Sequence, residues 1–279
     1  MRTRKSIALH SAAVVVGLIM ILPFAYMIVA SVSPQRNLIS RPPQWIPDSL
    51  YLDRYHDIFF GDGGTGETFR AAAINSTIVA VATVAIAISV AIFGAYAFAR
   101  LEFRFRRTTL MLFLATYMLP PIALLIPLYL ILNSLSLLDS RVGLILVDCS
   151  LVIPFTLWIL SNYFGTIPRD LEDAARIDGC SRVGALFRVI LPTARPGIFA
   201  ALMFAFLLAW DEFMYALIFT SSNASKTLPV AISEFAGRYT TDFGLVAAGG
   251  VLAALPPVAV AVIFQRYVVS GLAAGAMKG

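Results

Sequence analysis

Six apolar runs, each long enough to cross a bilayer, dominate this sequence: 7–32, 71–99, 109–132, 142–164, 197–220 and 243–269. A helix needs roughly 20 apolar residues to span the hydrocarbon core. Membrane strands would show alternating segments of about ten residues, and the runs do not alternate. The chain is 59% hydrophobic and only 13% charged. A water-soluble domain of that composition has too few polar side chains to cover its surface. The predicted fold class is therefore an all-α membrane protein with six transmembrane helices. Arg2, Arg4 and Lys5 precede the first run. Its apolar part exceeds the core of about 7–15 residues usual in a signal peptide, and no small-x-small cleavage site follows. We read it as a retained span.

Orientation follows from the positive charges. With six spans, both termini share one side. That side holds 14 of the 21 Lys and Arg residues, clustered at 2–5, 100–107 and 169–195, with Arg266 and Lys278. Arg36, Arg41, Arg54, Arg70, Arg141, Lys226 and Arg238 fall on the other. Both termini are thus expected in the cytoplasm. The net charge of +5 is then a matter of topology, not the basic face of a nucleic-acid reader. Cys149 lies in the fourth run and Cys180 beyond its end, too far apart for the ~7 Å Cα separation of a disulfide. Two free thiols are expected, and neither they nor His10 and His56 have metal-ligand spacing.

The organisation expected is one membrane domain over 1–279. It has an outer loop at about 33–70, a cytoplasmic loop at about 168–196 and a cytoplasmic tail at about 270–279 that is small-residued and flexible. The prolines of 41–47 predict extended chain. Leu52, Tyr55, Phe59 and Phe60 have helical spacing and predict a helix on the outer membrane surface. The glycines of 61–66 predict a flexible turn and not a phosphate cradle, since no strand precedes them. Pro120, Pro121, Pro127, Pro256 and Pro257 interrupt apolar runs. Carbonyls freed by proline need a protein or water partner. A kink filled by a neighbouring helix and a bend lining a pathway fit equally well.

The charged island 168–196 carries the most specific signal. Pro168 ends the fourth span. Asp170 is placed to cap a helix, and Glu172 and Asp173 lie in its positive first turn. Leu171, Ala174 and Ala175 give it a small apolar face. Gly179 fits a left-handed helix end, Ser181 caps a second helix with Val183, Leu186, Phe187 and Ile190 on one face, and Leu191-Pro192 stops it. A shallow helix–turn–helix of this kind suits insertion into a partner's groove.

Asp173-Ala174-Ala175, Gly179 and Leu191-Pro192 resemble the EAA loop of permease subunits of bacterial ABC importers. Asp173 stands where that family usually has Glu, Cys180 where it has Ala, and Val189 where it has Ile. Further segments are similar to the maltose-type carbohydrate importers, in particular to the second, shorter permease subunit. They are Asn75-Ser76, Ala95-Tyr96-Ala97-Phe98-Ala99-Arg100, Ile126-Pro127-Leu128-Tyr129, Trp210-Asp211-Glu212-Phe213 and the tail 271–279. The usual residue at Asp211 is Asn. The resemblance implies an ABC importer permease fold in the bacterial plasma (inner) membrane. It implies a second permease, two ATPase subunits that bind ATP and Mg, and an extracytoplasmic binding protein. It also implies that Glu172, Asp173, Ala174, Ala175, Asp178, Gly179, Cys180, Leu191 and Pro192 couple the chain to the ATPases.

Intramembrane carboxylates complete the candidates. A charge at the bilayer centre costs on the order of 2.5–3.5 kcal/mol on insertion scales and marks a cavity or a partner. Asp148, Asp211 and Glu212 are such groups, and none has a Lys or Arg inside these spans. Asp211 is the expected solute contact, with Glu212, Trp210 and Asp148 as further pathway candidates. Glu212 as an interface contact, Asp148 at the outer polar edge and Trp210 as packing are the alternatives. The chain has no phosphate-binding Gly-x-x-x-x-Gly-Lys, so no ATP cofactor and no catalysis are expected on it. The reading is a permease subunit for ATP-driven carbohydrate import. Another polar solute, such as an amino sugar or a glycerol phosphodiester, is the alternative. A proton-coupled transporter using Asp211 and Glu212 is the rival from another class.

Overall fold

The computed structural model describes residues 2–42, 44–61, 64–236 and 241–276, with backbone alone for 2–5, 7, 8 and 268–276. In chain order the helices are α1 (Arg2–Ser31), α2 (Gln35–Leu38), α3 (Asp53–Phe60), α4 (Gly64–Arg100), α5 (Arg106–Tyr117), α6 (Pro121–Ser134) and α7 (Arg141–Thr166). Then follow α8 (Arg169–Ile177), α9 (Arg182–Ala185), a π-helical turn (Leu186–Ile190), α10 (Leu191–Thr193), α11 (Arg195–Trp210), α12 (Met214–Phe219), α13 (Leu228–Glu234) and α14 (Phe243–Ala276). No strand occurs among the described residues beyond a single bridge between Ala236 and Thr241.

Among the described residues, five helical stretches are long and apolar enough to cross a membrane, and a bent pair of helices makes a sixth if counted as one span. The third span is not the single run 109–132. It breaks between Tyr117 and Pro121, and its two halves diverge by 91°. Pro120 has an extended backbone and lacks an N–H, so α5 cannot propagate into α6. The fifth span, 197–220 in sequence, also breaks, at Asp211–Phe213. By contrast, Pro256 and Pro257 are accommodated inside a continuous α14. The helix runs through Ala276, so most of the expected flexible tail is helical backbone. Ala273, Ala274 and Ala276 are strong helix formers, and Met277–Gly279 lie outside the described residues.

The expected single domain is built of two compact units that interleave along the chain. The first takes in Met1–Ala71 and Val230–Leu255. Its organiser is Arg54, only 4% exposed, which bonds both carboxylate oxygens of Asp242 at 3.1 and 3.2 Å and the Ser33 carbonyl at 2.6 Å. The 52–60 segment is the predicted helix, but the expected face is not its only anchor. Arg54 and Ile58 bury inward, Tyr55 bonds Ser31 at 2.8 Å, and Leu52, Phe59 and Phe60 stay exposed. Arg70 then caps α3 by donating to the carbonyls of Ile58, Phe59 and Gly61 at 3.0–3.2 Å. The glycine run is in part helix, since α4 begins at Gly64. Asp62 and Gly63 lie outside the described residues.

The second unit, Ala72–Pro229 with Pro256–Gly279, holds the candidate sites. Lipid offers no hydrophobic drive between helices, so close packing must hold them. Ala91, Ala95 and Ala201 are fully buried between spans. At Gly94 a Cβ would sit 2.6 Å from Leu157 Cδ1, so any larger residue there requires the Leu157 side chain to shift. Leu186, Ile190 and Ala194 from the charged island join the same core with Leu160 and Phe164.

At the opposite end of α7, the 220–228 loop is cross-braced. Asn75 Nδ2 donates to the carbonyls of Asn223 and Lys226 at 3.0 and 2.8 Å. Ser76 Oγ accepts from the Leu228 N–H at 2.8 Å. Asp139 accepts from the Ser221 and Ser222 N–H groups at 2.8 and 3.0 Å and from the Ser225 hydroxyl. Burial pushes the Asp139 carboxyl up, but those bonds outweigh it and hold the group well below the usual carboxylate range. Its folded pKa is therefore depressed. The stability it contributes is present above the unfolded value of about 3.9 and is lost only as pH falls through the lower folded value. Asp139→Ala should lower the apparent Tm in detergent at pH 7. The gap to wild type should persist down to about pH 4 and close only below it. A gap that closes by pH 5 would show that the carboxylate does not brace this loop.

Candidate functional site

The island folds into the predicted helix–turn–helix, with its residues sorted by which way they face. Gly179 adopts φ +87°, a left-handed conformation that β-carbon sterics disfavour. The amides of Gly179 and Cys180 bond back to the carbonyls of Arg176 and Ala175 at 3.1 and 2.9 Å. Ser181 caps α9 by accepting from the Gly184 N–H at 3.1 Å. Asp170 is not the cap of α8. Pro168 holds that position with no side-chain bond, and Asp170 falls inside the first turn, where it still complements the dipole.

The two acidic neighbours behave differently. Asp173 is exposed, whereas Glu172 is buried and turns back onto its own chain. Glu172 accepts from the Tyr96 hydroxyl and pairs with Arg100 Nε at 3.4 Å. Arg100 also donates to the Ile167 carbonyl at 2.9 Å. Tyr96 and Arg100 are one helical turn apart on α4, so one face of the second span grips the island (the i, i+4 rule). Ala175 is likewise buried. Leu171, Ala174, Ile177 and Asp178 face outward, and Ile177 is 86% exposed. Cys180 and Leu191 are half-buried and Pro192 is exposed. The expected common face of the second helix splits. Leu186 and Ile190 bury, while Val183 and Phe187 are exposed. The π-helical turn widens the helix at Leu186–Ile190, and its fully buried pair takes one side. Leu191-Pro192 does not stop the helix. Pro192 sits in the first turn of α10, where a missing N–H is tolerated.

The pathway candidates also separate. A cavity of ≈ 260 Å³ opens where the third span breaks, lined by Tyr117, Leu119, Pro121, Asp148, Leu151, Val152, Leu208 and Glu212. Asp148 and Glu212 thus meet at one cavity. Asp148 is 2% exposed, and its Oδ1 has no hydrogen-bond partner. Glu212 accepts from the Tyr215 and Ala216 N–H groups at 2.7 and 2.9 Å, capping the start of α12. Its position is explained within the chain by that cap. Tyr215 in turn donates to the Pro121 carbonyl at 3.4 Å, joining the two broken spans. Asp211 is exposed beside the break and does not line this cavity. Trp210 is buried and stacks on Phe206 at 5.5 Å. Cys149 and Cys180 are both free thiols.

Sequence reasoning missed three groups. Tyr96 and Arg100 were legible only as parts of a resemblant segment, although a Tyr and an Arg at i, i+4 near a helix end are a visible acidic-group clamp. Ile177 has no sequence signal apart from its place one turn past Ala174. Tyr117 becomes a cavity wall only because of the 91° bend. Breaking one side of a buried ion pair typically costs about 3–5 kcal/mol. Glu172→Ala should therefore lower stability by several kcal/mol, and Tyr96→Phe by about 1–3 kcal/mol. Thermal unfolding in detergent should rank them so, with Glu172→Ala and Arg100→Ala far from additive. Additive effects would mean that the pair is not a unit.

Residues 87–273 match the family described as "Binding-protein-dependent transport system inner membrane component". The sulfoquinovosyl glycerol transport system permease protein SmoH of Agrobacterium fabrum is 38% identical over 92% of this chain and 88% of that protein. The trehalose transport system permease protein SugB of Mycobacterium tuberculosis is 36% identical over 93% of each. A bacterial ABC transporter involved in the import of the acidic polysaccharide alginate has a chain of the same fold, with TM-score 0.77 and 20% identity over 96% of this chain and 98% of that one. With the broken spans and the clamped island already in place, the match over two thirds of the sequence means that this chain belongs to the family of binding-protein-dependent transport system inner membrane components.

Proposed function

We propose that this chain is one of two permease subunits of an ATP-driven carbohydrate importer in the bacterial inner membrane, with both termini in the cytoplasm. The observation that carries the coupling role is the island itself. Its outward face of Leu171, Ala174, Ile177 and Asp178 sits on a helix clamped through Glu172 to Tyr96 and Arg100. A push on that face is transmitted to the second span, because the link is a buried ion pair and not a flexible tether. ATPase subunits, which bind ATP and Mg, supply the push. The second permease completes the pathway, and an extracytoplasmic binding protein delivers the solute. The carbohydrate reading is supported by relatives named for trehalose and diacetylchitobiose uptake. In this scheme Asp173, Asp178 and Cys180 edge the docking surface, and the C-terminal end of α14 lies on the side of the ATPases. Alternating access is a rigid-body shift of packed helices, with two discrete arrangements. A proton-coupled reading is less favoured, since both oxygens of Glu212 are engaged in capping α12.

Two experiments test this reading. Uptake in cells or proteoliposomes should stop with vanadate, which arrests ABC ATPases, and should be indifferent to a protonophore. The reverse pattern would refute ATP coupling. At Gly179 a Cβ meets no atom within 4 Å, so a substitution there is opposed only by its left-handed backbone. That strain is roughly 1–2 kcal/mol, and Asn tolerates it best. Gly179→Val should therefore reduce co-purification of the ATPase subunits and binding-protein stimulation of ATP hydrolysis, and Gly179→Asn should restore both. Ile177→Asp should do the same as Gly179→Val without loss of membrane insertion. Full stimulation in Gly179→Val and Ile177→Asp would remove the island as the coupling element.

A further inference from the structure

The last turn of α4, the first turn of α5 and the last turns of α7 enclose a second cavity, of ≈ 270 Å³. It shares no residue with the cavity at the broken third span. Its polar lining is Arg106, Arg107, Ser161 and Asn162, and the lining includes no Asp or Glu. Arginine stays charged at any physiological pH. Two cations therefore share a small space with no carboxylate to offset them. The helix adds to that charge. Arg106 and Arg107 stand in the first turn of α5, where the dipole is positive and disfavours cations. The turn has no acidic residue, and Phe105 at its N-cap supplies no side-chain acceptor. Arg106 is held by donating to the Leu101 carbonyl at 3.3 Å. Arg107 has neither an ion pair nor a hydrogen bond among the described residues. Glu102, close by in sequence, is engaged with Arg169 at 3.6 Å.

A second observation comes from a different helix. Ser161 reaches the cavity from α7, is 7% exposed, and its hydroxyl has no hydrogen-bond partner among the described residues. A buried hydroxyl without a partner is costly, and an anionic oxygen is the acceptor that suits it beside two arginines. Gly165, one turn further along α7, keeps the space open, since a Cβ there would meet nothing within 4 Å. The rest of the occupant is legible on α5. Arg107, Leu110 and Met111 share a face at i, i+3 and i+4. Leu110 lines the cavity, and Met111 and Leu112 are exposed on a helix that buries none of its side chains. A cationic pocket that runs on into an apolar strip fits an amphiphile with an anionic head. A free anion would leave the strip unused.

We propose that this cavity binds the phosphate of an anionic phospholipid. Arg107 and Ser161 donate to phosphate oxygens, Arg106 supplies the second positive charge, and the acyl chains lie along the exposed face of α5. In the topology proposed above, this is a site of the cytoplasmic leaflet, where basic pockets between helices take such headgroups. The bound phosphate joins the start of α5 to the end of α7, at one end of a span that is broken after Tyr117.

The test uses the full chain in its assembled complex, washed free of lipid in an uncharged detergent. Thermal unfolding is followed with short-chain phosphatidylglycerol, short-chain phosphatidylcholine or inorganic phosphate, and each variant is compared with its own lipid-free Tm. Phosphatidylglycerol should raise the wild-type Tm saturably. Phosphatidylcholine and inorganic phosphate at the same concentration should not. Arg107→Gln removes one charge-assisted donor and should weaken the apparent affinity about tenfold. Gly165→Leu fills the cavity without touching its charge. It should abolish the shift while the lipid-free Tm stays at or above wild type, because leucine is the better helix former. Arg104→Gln is the charge-matched control. Arg104 lies outside the lining and stacks over Phe105 at 5.0 Å, so its loss should change the affinity by no more than about twofold. Equal weakening by Arg104→Gln and Arg107→Gln would reduce the effect to general attraction of a basic segment and overturn the site. An equal shift with inorganic phosphate overturns the lipid as its source. A full shift in Gly165→Leu overturns the cavity as its place, and no shift in wild type overturns the proposal outright. These measurements need neither transport nor a sided membrane, so their outcome is independent of the importer reading and of the topology.

Discussion

The Glu172–Arg100 pair, with the Tyr96 hydroxyl on the same carboxylate, is the interaction on which the functional architecture depends. Without it α8 would be held to the spans only by backbone and by the packing of its own buried Ala175, while the island's second half would keep its apolar anchor. With it, α8 is fixed to the end of α4, and Arg100 reaches on to the Ile167 carbonyl at the end of α7. The end of α4 is therefore tied to the junction of α7 and α8, which adjoin each other in sequence but are remote from α4. The hydrophobic side of the same junction is built by Leu186, Ile190 and Ala194, which enter the core between spans. A buried ion pair alone is weak evidence of net stability. Its value here is positional, because it sets which face of α8 is left exposed.

The membrane imposes the second constraint. Irregular backbone at membrane depth survives only where protein or a cavity satisfies it. The chain breaks its third span at 118–120 and its fifth at 211–213, and it meets the freed groups locally. Glu212 accepts the first amides of α12, and Tyr215 donates to the Pro121 carbonyl. The two breaks thus support one another, and the cavity forms where they meet α7. At the far end of α7, Asp139, Asn75 and Ser76 tie the 220–228 loop to two other segments. The loop is held through side-chain acceptors and donors because it has no helix or strand of its own.

Much of this was legible in the residues. Span-length apolar runs without strand-like alternation read as membrane helices, because in lipid the backbone must bond itself within a helix or a closed barrel. The left-handed turn at Gly179 and the Ser181 cap were legible as well, since both are local chemistry within three or four residues. Caps and turns are decided by neighbours in sequence. Asp170 escaped because Pro168 started the helix earlier, a competition that composition does not rank.

What the sequence by itself determined was therefore the order of the apolar spans, the class of protein and the local form of the charged island. What only the tertiary structure decided was the direction each polar group faces. Glu172 and Asp173 are adjacent and chemically alike, yet one is buried against Arg100 and the other is exposed. Asp211 and Glu212 are adjacent too, and only Glu212 reaches the cavity, where it meets Asp148 from 64 positions earlier in the chain. Neighbours on a helix point about 100° apart, and a break rotates everything after it. Burial and partnership are set by where other spans lie, and a one-dimensional pattern does not contain that information.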